Sequence, residues 1–335
     1  MIGQKVIKNI KDDDDEDYDV EYDPANDDYA DYTFDFGYSN KRDDSHDDNN
    51  NDYNAVECAL VRRRSHVEIQ KKSLFFNPLE QKQIEDLAKL LSVKKFRSIQ
   101  RRLAKEGMRK GFACLFYGGP GTGKTESVLQ IARQTGRDII QVDFSTLRCK
   151  WVGDSEKNIR KVFAYYRNLC DNSEVMPILF FNEADAIFGK RMENVEDSVD
   201  KMENTMQNII LQEMEDLDGI LIATTNLTGN FDSAFERRFL YKIEFHKPEL
   251  AVKAKIWKSM LKKINEKDAY YLATQFDLSG GQIENVARKR TVHYVLYGKY
   301  ANLNEIEEFC RLETLDNRQK RHQIAGFSAY TEKVE

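Results

Sequence analysis

Apolar positions along this chain fall into two kinds of run. Five short stretches are rich in β-formers: residues 112–117, 139–144, 178–181, 220–225 and 241–245. Several are continuous rather than alternating, the pattern of parallel strands covered by helices on both faces. Helical spacing fills the gaps between them. Ile159, Val162, Phe163, Tyr166 and Leu169 make one stripe, and Met202, Met206, Ile209, Ile210 and Leu217 make another; both read as core. Strands alternating with helices predict an α/β fold, a doubly wound parallel sheet of five strands with flanking helices. Upstream, Ile84, Leu87, Ala88 and Leu91 recur at i, i+3, i+4 and i+7 after Asn77-Pro78, an amphipathic helix. Beyond Pro248 the strand signals stop. Residues 250–261, 268–276, 281–297 and 304–315 read as four helices of a small C-terminal lid domain.

Charge adds an N-terminal arm to that picture. The chain has 335 residues and a net charge of −6, yet residues 1–56 hold 18 Asp/Glu against 5 Lys/Arg. Like charges repel there and few aliphatic side chains offset the ordering entropy, so residues 1–56 are expected to be disordered. The simplest role is a solubilising tail; the alternative is a docking or autoinhibitory arm. Residues 57–110 read as a helical segment, 111–246 as the α/β domain, 247–320 as the lid and 321–335 as a tail. The basic clusters Arg62-Arg63-Arg64, Lys94-Lys95 and Arg101-Arg102 lack interleaved aromatics and read as solvated helix faces. Five cysteines at irregular spacing contain no C-x-x-C pair and suggest a reducing compartment. No apolar h-region opens the sequence, and no apolar run reaches the ~18 residues of a membrane span. The expected location is cytoplasmic, away from membranes.

The first chemical signal is Gly118-Gly119-Pro120-Gly121-Thr122-Gly123-Lys124-Thr125, which satisfies G-x-x-x-x-G-K-[ST]. It follows the apolar stretch 112–117 and opens a helix carrying Val128, Leu129, Ile131 and Ala132. Glycines allow main-chain N–H groups to wrap phosphates, and the helix N-terminus adds favourable dipole charge. Lys124 is placed to reach the β- and γ-phosphates of ATP, and the Thr125 hydroxyl to ligate Mg²⁺. A third glycine, needed for a dinucleotide fingerprint, is missing.

The second signal is the apolar run 178–181 ending in Asn182-Glu183-Ala184-Asp185. Glu183 is the candidate for polarising an attacking water, a role worth ~10²–10⁴-fold. Together with the glycine loop, this run resembles the Walker B segment of AAA+ ATPases. The family places Asp where this chain has Asn182, a partner of the magnesium's water shell. An amide keeps the oxygen and loses the charge, and an outer-shell loss costs ~10–100-fold in metal affinity or activity.

Three further segments carry the resemblance to AAA+ proteins. Asn226, ending the run 220–225, matches sensor 1. Arg237-Arg238 resembles the arginine-finger pair of the protein-remodelling clade, implying action in trans within a homo-oligomer, a hexameric ring by family likeness. Lys150-Trp151-Val152 looks like the first pore loop of substrate-threading members. Ser279-Gly280-Gly281 resembles the start of the lid helix and lacks a sensor 2 arginine. The implied function is a single AAA module that hydrolyses ATP–Mg²⁺ to remodel a polypeptide client. An ATP-gated assembly protein with weak hydrolysis is the first alternative, and a nucleic-acid-directed AAA+ protein the second.

Overall fold

The computed structural model describes residues 60–142, 144, 154–189, 198–229 and 231–313. The acidic arm, the pore-loop residues Lys150, Trp151 and Val152, and the tail 321–335 lie outside the described residues.

In chain order the elements begin with strand β1 (Val61–Arg64), a 3-10 turn (His66–Glu68) and helices α1 (Pro78–Leu90) and α2 (Val93–Lys105). Strand β2 (Phe112–Gly118) leads into α3 (Lys124–Thr135), followed by β3 (Ile139–Val142), α4 (Asp154–Asn172) and β4 (Ile178–Phe181). The short α5 (Asp185–Phe188), then α6 (Ser198–Glu215), β5 (Ile220–Thr225), the short α7 (Ser233–Glu236) and β6 (Tyr241–Phe245) complete the sheet region. Four helices follow: α8 (Leu250–Met260), α9 (Glu266–Gln275), α10 (Gly280–Tyr297) and α11 (Leu303–Glu313).

The sheet order is β1-β3-β4-β5-β2-β6. The five strands expected from the apolar runs all pair in parallel. A sixth strand, β1, joins antiparallel to β3, with Val61 opposite Val142 and Arg64 opposite Ile139. This corrects the reading of residues 57–110 as helical throughout and of Arg62-Arg63-Arg64 as a helix face. Val61 is buried while the three arginines are exposed, so charge blunts an edge strand that could otherwise recruit further pairing. Arg63 donates to Asp138 at 3.1 Å, and His66 Nδ1 lies 2.8 Å from the same carboxylate. The run 139–144 is also shorter as a strand, ending at Val142, and Leu217 is buried just beyond the end of α6.

Burial follows the strand period of two. Leu179 and Phe181 face a core shared with Ile159, Val162, Phe163, Met206 and Ile210 of α4 and α6. Ile178 and Phe180 point the other way, toward Val128, Ile131, Leu87 and Phe96 of α3, α1 and α2. Both faces are therefore covered, which is why β4 is apolar at every position and β5 is apolar up to Ala223, both strands being buried throughout. Each fully buried large side chain contributes roughly 1.5–3 kcal/mol. The lid has its own core around Trp257, Leu272, Ile283 and Ile306. A sheet core and a lid core, separately formed, leave a cleft where they meet.

Candidate functional site

Parallel strands place their C-terminal ends along one edge of the sheet, where ligands bind in such folds. Gly118 ends β2, Asn182 follows β4, and Asn226 follows β5. At this edge the glycine loop bends between β2 and α3. Gly118 has φ +135°, and a Cβ there would sit 2.1 Å from the Phe245 carbonyl oxygen on the paired strand. Gly121 has φ +71°, and its Cβ would lie 2.6 Å from Ser279 Oγ at the start of α10. These two positions require glycine, one to pair with β6 and one to admit the lid. Gly281 N then donates to Gly121 O at 2.8 Å.

Lys124 is buried at the base of the loop. Its Nζ donates to Gly118 O at 2.8 Å, Gly119 O at 2.8 Å and Asn226 Oδ1 at 2.9 Å. Burial pulls the ammonium pKa down, and the carboxylates of Asp185 and Glu183 oppose that shift. Thr125 Oγ1 donates to Asn182 Oδ1 at 2.8 Å, and Thr224 Oγ1 donates to the same oxygen at 3.1 Å. Asn182 thus presents its amide oxygen to both hydroxyls. Glu183 is exposed at the cleft, with φ +52° and its N–H on Thr224 Oγ1 at 3.0 Å. A non-glycine residue in the left-handed region costs roughly 1–2 kcal/mol, and such strain is held where side-chain aim matters.

Asp185 was not singled out as a site residue by sequence, although it closes the same polar run. Its carboxylate accepts from Thr225 Oγ1 at 2.6 Å, Asn226 N at 2.8 Å and Asn226 Nδ2 at 3.2 Å. The last bond fixes the Asn226 amide with its oxygen toward Lys124. Position alone, first residue of a helix after a polar strand end, was the available signal.

The site opens into a cleft of about 620 Å³ between sheet and lid. The glycine loop from Pro120 to Thr125, Glu183 and Asn226 line one wall, and Ile256, Met260, Gly280 and Gly281 the other. Phe75 and Phe76, from the segment before α1, close its end. Lys124 lines the cleft beside the glycine loop, a cation of the kind that pairs with phosphate oxygens. A hydroxyl and an amide oxygen, both hard donors, suit Mg²⁺ at Thr125 and Asn182.

The two arginines lie outside this cleft and differ from each other. Asp232 Oδ1 caps α7, accepting from Ala234 N at 2.6 Å. The α7 segment is fastened to the end of α5 by Asp232 N on Phe188 O and by Phe188 packing on Phe231, Phe235 and Phe239. Arg238 folds inward, donating to Leu211 O at 3.2 Å, to Ala234 O at 2.8 Å and to the Glu215 carboxylate. Arg237 is exposed and makes a 3.3 Å bond to Ser233 O within its own turn.

A glycine loop and polar strand ends closed under a helical lid define, as a class, a P-loop α/β fold. Residues 114–247 match the family described as the ATPase family associated with various cellular activities (AAA), over less than half of the chain. Cell division protein C of Sulfolobus acidocaldarius is 32% identical over 143 residues, covering 41% of this chain and 37% of the relative. A 26S proteasome regulatory subunit 6B homolog of Dictyostelium discoideum is 30% identical over 202 residues, covering 56% and 48%. The chain therefore spans less than half the length of these two relatives. The crystal structure of the FIGL-1 AAA domain in complex with ADP superposes with a TM-score of 0.58 at 19% identity, over 84% of this chain and 96% of that one. That likeness concerns the fold. Among the described residues, no helix is long and apolar enough to cross a membrane.

Proposed function

We propose that this chain binds ATP–Mg²⁺ in the cleft and hydrolyses it within a homo-oligomer to remodel a polypeptide client. One observation carries the reading: two hydrogen-bonded sets, Lys124–Asn226–Asp185 and Thr125–Asn182–Thr224, lie side by side at the strand ends beside the glycine loop. Lys124 would hold the β- and γ-phosphates, and Thr125 with Asn182 the metal side. Bound Mg²⁺ neutralises charge on the transferred phosphoryl group. Glu183 takes the proton of the attacking water, and Asn226 orients that water. Arg237 of one subunit completes the site of the next, because its guanidinium is exposed while that of Arg238 is engaged internally. The hexamer, the polypeptide client and the gripping role of Trp151 rest on likeness to remodelling AAA+ proteins.

The assay is phosphate release by wild type and Glu183→Gln. The variant should bind ATP normally and turn over ~10²–10⁴-fold more slowly; equal rates would remove Glu183 as the base. Asn182 favours one competing reading, an ATP-gated assembly switch, since it puts a neutral amide where the family has a carboxylate. A magnesium titration separates them. Turnover that rises with Mg²⁺ supports hydrolysis, and none at saturation supports the switch.

A further inference from the structure

The four residues that join the sheet to the lid, 246–249, are gripped by the start of α1, a segment 166 to 172 residues earlier in the chain. Glu80 is the centre of the grip. It is 4% exposed, and its carboxylate has no lysine or arginine against it among the described residues. Instead it accepts four hydrogen bonds. Glu80 Oε1 takes His246 N at 3.0 Å, His246 Nδ1 at 2.8 Å and Asn77 Nδ2 at 3.3 Å, and Oε2 takes Asn77 N at 3.1 Å. Asn77 extends the hold. Its Nδ2 donates to Lys247 O at 3.2 Å, and its Oδ1 accepts from Glu249 N at 2.8 Å, the residue that caps α8.

A helix N-cap normally spends such groups on its own first turn. Here the capping box keeps Glu80 Oε2 on Asn77 N, while Glu80 Oε1 and the Asn77 amide also reach the backbone of a distant hinge on both sides of Pro248. The arrangement removes rotational freedom from the one stretch of chain that connects β6 to α8. Asn77, Glu80, His246 and Pro248 also line the nucleotide cleft, between Phe76 and the lid residues Ile256 and Met260. On the lid side, Asp277 accepts from Lys247 at 2.9 Å and from Lys253 at 3.1 Å, so the hinge is held from the opposite direction as well.

We infer that Glu80 and Asn77 are positioning residues that set the angle of the lid over the nucleotide, acting through the main chain of residues 246–249. The inference rests on the cleft being a nucleotide site, as proposed above. Lid closure then requires a preset hinge, and a loosened hinge lowers the fraction of molecules competent to bind. His246 is a handle on this clamp that can be changed without disturbing the core, because its side chain is 59% exposed. Asparagine can reproduce the Nδ1–H donor of histidine toward Glu80, and alanine cannot.

The test uses a fluorescent ADP analogue on the full chain, with hydrogen exchange at the hinge amides. Glu80→Ala and His246→Ala should weaken nucleotide affinity by about tenfold, the change that goes with losing a charged hydrogen bond. His246→Asn should recover most of that loss. The His246 and Glu249 amides should exchange faster in Glu80→Ala and in Asn77→Ala. Unchanged affinity in His246→Ala, or a His246→Asn variant as weak as the alanine, would overturn the inference. Should Glu80→Ala not fold, the His246 pair decides alone. Absence of nucleotide binding by the wild-type protein would instead remove the functional reading on which the clamp depends.

Discussion

On the phosphate side of the cleft, polar side chains contact one another directly, from Thr125 through Asn182 and Thr224, and from Lys124 through Asn226 to Asp185. The lid side presents Ile256 and Met260 and meets the sheet through main-chain groups, Gly281 N on Gly121 O and residues 246–249 on Asn77 and Glu80. One wall is an electrostatic device whose parts lie on rigid strand ends. The other is an apolar cover whose position depends on backbone contacts at its rim. Changes on the first wall should alter rate or phosphate binding with little effect on folding. Changes at the rim should alter lid placement and stability with little effect on chemistry.

The neighbouring arginines give the largest contrast. Arg237→Ala should lower turnover by ~10³–10⁵-fold while leaving the melting temperature in place, as expected for a residue that acts on an adjoining subunit. Arg238→Ala should instead destabilise the chain by about 1–3 kcal/mol, because the Leu211 carbonyl and the Glu215 carboxylate each lose the bond that Arg238 donates. Turnover measured beside thermal unfolding reads both, and the reverse pattern would exchange their roles. Gly121→Ala probes the seam between the walls. A left-handed φ and the approach of Ser279 Oγ predict a loss of about 1–2 kcal/mol, with Gly281 N pushed off the loop. No loss in chemical denaturation would mean the lid does not rest on the loop as described.

The smallest effect lies in the hinge electrostatics. Hydrogen bonds from Lys247 and Lys253 hold the Asp277 carboxyl below its usual range. A depressed carboxylate stabilises above its unfolded pKa and loses that contribution as pH falls through its folded pKa. Asp277 is largely exposed, so Asp277→Asn should cost less than about 1 kcal/mol at neutral pH after solvent screening. Denaturation curves of wild type and variant should converge as pH drops below the carboxylate range. A gap that persisted in acid would point to packing rather than charge.

The phosphate wall was legible in sequence because its chemistry is contiguous. The loop from Gly118 to Thr125 sits between an apolar strand and a helix, and Asn182, Glu183 and Asn226 each follow such a strand directly. Asp185 was hidden by its neighbours: what it does depends on Asn226, which only the β4–β5 pairing brings beside it. At the lid rim the start of the lid helix at Ser279-Gly280-Gly281 was legible, and the hinge contact was not. Nothing in the local pattern around Asn77-Pro78 tells that its capping side chains will also bond residues 246–249. The edge strand β1 was missed for a related reason. Its three arginines carry no apolar period, and only Val61 and the partner strand β3 make it a strand.

The claim on which the rest depends is that the loop cradles a triphosphate above Lys124. Calorimetric titration of ATP–Mg²⁺ into the full chain, wild type and Lys124→Ala side by side, tests it most directly. One site per chain in the wild type, weakened by about 10–100-fold in the variant, is the predicted result. Equal binding by the two proteins, or no heat from either, would contradict it.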